Sequence, residues 1–118
     1  MYAALRMALY ALAALIVVDG DTIKSPYGLT YRILGYDTPE TFRAKCDAER
    51  ELGFAAKARL EELLSHREVR VLESGKMDRY GRSLARVTVD GEDLAVVMVR
   101  EGLARPYKGE KRQSWCRV

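Results

Sequence analysis

The sequence predicts an α+β domain, and three observations predict it. Strand-type apolar runs crowd the first third, over 15–24 and 29–36. One stripe of apolar residues at helical spacing follows between Gly53 and His66. Alternating runs then return at 69–73 and 82–89, ahead of a short capped helix over 94–101. At 118 residues the chain reads as a single domain, large enough for a modest core. There are no internal repeats and no low-complexity segment.

Residues 1–13 hold a lone charge, Arg6, ahead of an apolar run with a small-x-small site at Ala11-Leu-Ala13. This reads as a short secretory leader or an N-terminal extension; the alternative is a mature strand packed on the domain. The run is too short to cross a bilayer as a helix, so no stable membrane association is expected. The domain proper is placed at 14–118. Leu15 to Lys24 reads as a strand bent at Gly20, with Asp19 and Asp21 on one face. Ser25-Pro-Tyr-Gly28 is a turn, and Leu29 to Tyr36 is the second strand.

Residues 42–52 are charged and loop-like. The helix over 53–66 carries Phe54, Ala56, Ala58, Leu60, Leu63 and Leu64 as its apolar stripe. His66 in its last turn suits the helix dipole and is assigned no catalytic role. Val69 to Glu73 is a strand closed by a Ser74-Gly75 turn. The run 82–89 alternates, with Ala85, Val87 and Val89 on one face and Leu84, Arg86 and Thr88 on the other. Asp90-Gly91 turns the chain, Asp93 caps the helix from Leu94, and Gly102 stands where a C′ glycine belongs.

The net charge of +3 is too small to establish a polyanionic partner. Its distribution is more telling: residues 105–118 hold five basic residues, Arg112 among them, against Glu110 alone. The plain reading is a solvated terminus; the functional one is attraction of polyanions. The chemistry concentrates in 19–40. Asp19, Asp21, Asp37 and Glu40 cluster where apolar runs end, and such acids repel unless a cation sits among them. Arg32, inside an apolar strand, offers a fixed fork of donors suited to phosphate. Hard-cation ligands, a phosphate-binding arginine and a spare carboxylate are the parts needed to hydrolyse a phosphodiester. With one histidine and two cysteines there is no zinc-type cluster. By spacing alone these acids could equally be turn and helix-start residues.

Four blocks move the balance: Asp19-Gly-Asp-Thr, then Arg32-x4-Asp37-Thr-Pro-Glu-Thr, then Asp78-Arg-Tyr-Gly-Arg82, then Arg100-Glu-Gly-Leu-Ala104. Their order and content resemble the staphylococcal nuclease (thermonuclease) family, over residues 15 to about 107. The resemblance implies an OB-fold, a five-stranded Greek-key β-barrel with two or so helices. It implies calcium on Asp21, Asp37 and the Thr38 carbonyl, all hard oxygen ligands, with Asp19 behind them holding a metal-bound water. It makes Glu40 the general base and Arg32 and Arg82 the pair gripping the scissile phosphate. Arg79, Tyr80 and, through a looser match, Tyr107 would contact the nucleotide. The implied activity is calcium-dependent hydrolysis of DNA and RNA with little sequence preference, leaving 3′-phosphate ends. A monomer is expected.

The rival is a non-catalytic nuclease-like module that binds nucleic acid or protein. Such a module has no need to hold Asp21, Arg32, Asp37, Glu40 and Arg82 together. The family's long terminal helix has no counterpart within these residues, Ala95 stands where the family usually has Asn, and 42–52 differs. Cys46 and Cys116 form an even pair in polar settings and, with the leader-like start, point to a disulfide that anchors the tail. The expected location is secreted or periplasmic; a cytoplasmic protein would keep both as thiols.

Overall fold

The computed structural model describes residues 6–10, 15–65 and 67–116. It is a mixed α+β domain: a multi-stranded sheet, a two-stranded ribbon and, among the described residues, two helices. Strands β1 (Arg6–Tyr10), β2 (Ile16–Asp19), β3 (Thr22–Lys24), β4 (Thr30–Ile33), β6 (Val69–Met77) and β7 (Ser83–Val89) form the large sheet, in the order β1-β6-β7-β4-β3-β2. The short β8 (Glu92–Asp93) pairs with β7, while β5 (Gly35–Asp37) and β9 (Arg105–Tyr107) make the ribbon. Only the β4–β7 pairing is parallel among these. Helix α1 (Asp47–Leu64) lies against β2, and α2 (Leu94–Arg100) sits over β5, β7, β8 and β9.

The core gathers Ile23, Tyr31, Ile33, Tyr36, Leu60, Val71, Val87, Leu94 and Met98, all fully buried. Apolar burial of this kind is the main stabilising contribution to the domain. Both buried tyrosines keep their hydroxyls bonded, Tyr36 to the Gly20 carbonyl at 2.8 Å and Tyr31 to Glu73 at 3.0 Å. The predicted faces of β7 hold, with Ala85, Val87 and Val89 inside and Arg86 outside. Asp93 caps α2 through the Ala95 N–H at 2.8 Å, and Gly102 takes φ +76° past its end.

Four expectations need correction. The run 15–24 is no bent strand: Asp19 pairs with Thr22, so Gly20 and Asp21 form a tight hairpin turn. The run 29–36 breaks after Ile33, because Gly35 adopts φ +100° and sends the chain into the two-stranded ribbon. The turn expected at Ser74-Gly75 is a register shift inside a longer β6.

The fourth correction is α1, which starts six residues early. Cys46 caps it, with its sulfur accepting from the Glu49 N–H at 3.4 Å, and Asp47 and Glu49 sit favourably in the first turn. Gly53 does not bound the helix. It lies against the Glu40 backbone, leaving no room for a Cβ. The buried stripe is therefore Glu49, Gly53, Ala56, Leu60, Leu63 and Leu64, while Phe54 and Ala58 face outward. Arg6–Tyr10 pairs with β6 as a strand; most of the leader expected over 1–13, His66 and Arg117 lie outside the described residues.

Candidate active site

Three local devices bring distant acids to one place. The β2–β3 turn presents Asp21 just as β5 ends at Asp37. Asp21 Oδ2 accepts from the Thr38 N–H at 3.2 Å, stitching the two ends together. Arg32 on β4 lies between them, with one terminal nitrogen 3.4 Å from Asp21 and 3.5 Å from Asp37. Its other terminal nitrogen donates to the carbonyls of Ile33 at 2.6 Å and Tyr36 at 3.0 Å. All three side chains are buried, with relative exposures of 9% for Arg32, 6% for Asp21 and 3% for Asp37. A charge this deep is tolerable only because each partner compensates another.

Glu40 stands one turn further on, with 28% of its side chain exposed. Its backbone is fixed from α1, where buried Glu49 accepts from the N–H groups of Glu40 at 3.0 Å and Lys45 at 2.9 Å. Burial raises the Glu40 carboxyl above its ordinary value, Asp19 raises it further, and Arg112 opposes the shift. Asp19 accepts from the Thr41 hydroxyl at 2.6 Å. Burial also raises Asp37, against the pull of Arg112.

Arg82 approaches from the other wall. The Asp78 turn grips it through Nε at 2.7 Å and through its backbone N–H at 2.9 Å. Burial works against the Asp78 charge. The N–H groups of Arg82 and Tyr80 and the Arg82 guanidinium outweigh that and hold its carboxyl below the ordinary value. Tyr80 is 66% exposed, and the guanidiniums of Arg79 and Arg82 lie over its ring at 5.1 and 5.4 Å. Tyr107 is placed by the β5–β9 pairing opposite Gly35, and its ring sits 5.6 Å from the Arg32 guanidinium.

One cleft of about 970 Å³ is lined by Asp19, Asp21, Arg32, Glu40, Arg79, Tyr80, Arg82 and Tyr107, with further basic residues at its rim. The structure thus gathers these sequence-derived candidates, with Asp37 and Thr38 directly behind. Among the described residues no three acid, histidine or cysteine side chains converge as a metal cluster. The oxygen set is two carboxylates that converge on one guanidinium nitrogen plus the neighbouring Thr38 carbonyl. Those are hard donors, and with water they fit a hard divalent cation. Beside them the Thr38 hydroxyl oxygen is buried with no hydrogen-bond partner among the described residues.

The tail meets one expectation, its disulfide, and departs from another, its solvated course. The structure contains the Cys46–Cys116 disulfide, which ties it to the mouth of α1. The predicted solvated terminus instead crosses the cleft. Arg112 reaches Asp37 at 2.8 Å, Glu40 at 3.0 Å and the Thr38 carbonyl at 3.2 Å. Trp115 Nε1 donates to Asp37 at 3.4 Å, and the Arg105 guanidinium stacks 3.7 Å above the Trp115 ring. Sequence reasoning missed Arg112, Trp115 and Glu49. The signal available for Arg112 was its position four residues before a cysteine expected to bond beside Glu40.

Residues 30–115 match the family model described as staphylococcal nuclease homologue. The chain is 40% identical over 93 residues to the SPbeta prophage-derived endonuclease YokF of Bacillus subtilis, covering 75% of this chain and 31% of that protein. It is 39% identical to the endonuclease YncB of the same organism, covering 75% and 44%. It is 37% identical to a thermonuclease of Staphylococcus intermedius, covering 75% and 55%. The chain therefore spans about half or less of the length of these curated relatives.

Proposed function

The chain belongs to the staphylococcal nuclease family, and from that premise we propose that it is a calcium-dependent phosphodiesterase cutting DNA and RNA with little sequence preference. The observation that carries this is the convergence of Asp21 and Asp37 on Arg32, with Glu40 and Arg82 lining the same cleft. Asp21, Asp37 and the Thr38 carbonyl would hold the cation. When bound, it would supply positive charge to the phosphoryl oxygens and to the attacking water.

The chain's own groups do the rest. Glu40, half-buried at the cleft with its carboxylate partly open to solvent, takes the proton from the attacking water. Asp19, anchored by Thr41, orients water beside it. Asp78 holds Arg82 by Nε, so the terminal nitrogens are those presented to a phosphate oxygen. Arg32 opposes them from the inner wall, and the two stabilise charge that develops in the transition state. The exposed face of Tyr80 stacks on a base, with Arg79 on the neighbouring phosphate; Tyr107 contributes an edge from β9. Cleavage leaves a 3′-phosphate.

The finer reading of the fold, an OB-type barrel acting as a monomer, is part of the same proposal. So is a secreted or periplasmic location. A structural disulfide persists in oxidising compartments, and among the described residues no helix is long and apolar enough to cross a membrane. The test is digestion of plasmid and RNA with calcium or with EDTA, beside Glu40→Gln. The parent should cut both polymers with calcium and neither with EDTA, and Glu40→Gln should be slower by about 10²–10⁴-fold at unchanged fold. A parent that binds an oligonucleotide but cuts nothing would be a binding module instead.

A further inference from the structure

We propose that the strap over 108–116 is an autoinhibitory latch: Arg112 takes the cation's place at Asp37, Thr38 and Glu40, and the Cys46–Cys116 bond keeps it there. This rests on the metal-site reading above.

One guanidinium closes three acceptors at once. Its Nε lies 2.8 Å from Asp37 Oδ1, and its two terminal nitrogens lie 3.0 Å from Glu40 Oε1 and 3.2 Å from the Thr38 carbonyl. Asp37 and Thr38 are two of the three groups assigned to the cation, and Glu40 is the base. A divalent ion at those oxygens would stand at contact distance from a fixed positive charge, so the two occupants exclude each other.

The strap is built to hold this position. Strand β9 pairs with β5, which ends in Asp37. Trp115 adds a second donor to that carboxylate and is clamped under Arg105, which also donates to the Ser114 carbonyl at 2.9 Å. The Arg112 side chain is itself 40% exposed, so its ion pairs alone are weak. Tethering on both sides makes the contact intramolecular, at an effective concentration on the order of millimolar for a short flexible connection. Opening is reductive: a dithiol gives two electrons and two protons, becomes a disulfide, and leaves Cys46 and Cys116 as thiols.

The test is calcium titration by calorimetry, without substrate. It uses the oxidised parent, Arg112→Ala, Arg112→Lys, the dithiol-reduced parent and Asp37→Asn. Emission of Trp115, the single tryptophan, is followed in parallel. Arg112→Ala should bind calcium about tenfold more tightly than the parent, an ordinary coupling between two sites. Arg112→Lys should fall between them. Reduction should tighten the parent and leave Arg112→Ala nearly unchanged, and calcium should shift Trp115 emission in the parent. Equal or weaker binding by Arg112→Ala would overturn the latch and make Arg112 a prop for the carboxylates. Tightening on reduction that persists in Arg112→Ala would overturn the role of Arg112. Should no form bind calcium, or should Asp37→Asn bind as the parent does, the metal-site reading fails and the latch with it.

Discussion

Two guanidiniums meet at Asp37, and the molecule holds them in opposite ways. Arg32 is fixed by its own neighbourhood: the carbonyls of Ile33 and Tyr36, Asp37 five residues on, and Asp21 across the hairpin. Arg112 comes from 72 to 75 residues away and is carried by a strap whose anchors are a β-ribbon and one disulfide. The first arrives whenever the sheet folds. The second depends on a tether that chemistry can open. Burial matches this division, since the Arg32 side chain is 11% exposed and that of Arg112 40%. A buried ion pair is part of the fold, and a half-exposed one is adjustable.

Removing each charge should break the symmetry most sharply. Arg32→Ala leaves Asp21 buried without its counter-charge and Asp37 with Arg112 alone, and should cost about 3–5 kcal/mol, along with activity. Arg112→Ala should change stability by less than about 1 kcal/mol. Arg32→Lys should retain more of the fold but lose rate, because a point charge cannot reproduce the two-nitrogen grip. Urea melts of the three variants, with a nuclease assay, check the contrast. Equal losses from the two alanine variants would mean that strap and sheet are one cooperative unit.

The tether comes next. Cys46–Cys116 spans 70 residues, and in the chain-entropy model a loop of that size contributes about 4 kcal/mol. The double variant Cys46→Ser/Cys116→Ser should therefore melt well below the parent, and reductant should lower only the parent. Identical melts would leave the strap held by the β5–β9 pairing alone.

What the sequence reveals follows from how local each device is. Asp21, Arg32, Asp37, Glu40 and Arg82 fall in short blocks whose spacing is read directly, and the cleft gathers them or lies against them. The disulfide was legible from two cysteines in polar settings. The hairpin at Gly20-Asp21 was not, because a bend and a tight turn share Asp-Gly-Asp. The early start of α1 was hidden by Gly53, whose role is close approach to the Glu40 backbone rather than helix termination. Arg112 looked like one more charge in a basic tail. Its role depends on a contact across 72 residues that no local pattern encodes.

The subtlest test concerns Glu49, which the charged run Asp47-Ala-Glu-Arg-Glu51 also concealed. It is 5% exposed, and its two oxygens accept from the N–H groups of Glu40 and Lys45. It thus links the first turn of α1 to the backbone of Glu40, the proposed base. Glu49→Gln preserves shape but turns an NH₂ toward one of two part-buried donors. One N–H then loses its acceptor, which should cost about 1–3 kcal/mol. A purely structural role would end there, with a lower melting temperature and unchanged kinetics below it. A positioning role predicts more. At a temperature where the variant is fully folded, kcat should fall while KM holds, because the proposed substrate contacts, Arg79, Tyr80 and Arg82, stand on a different turn. If kcat is unaffected there, α1 supports the site without aiming it, and the aim of Glu40 must come from the β5 side alone.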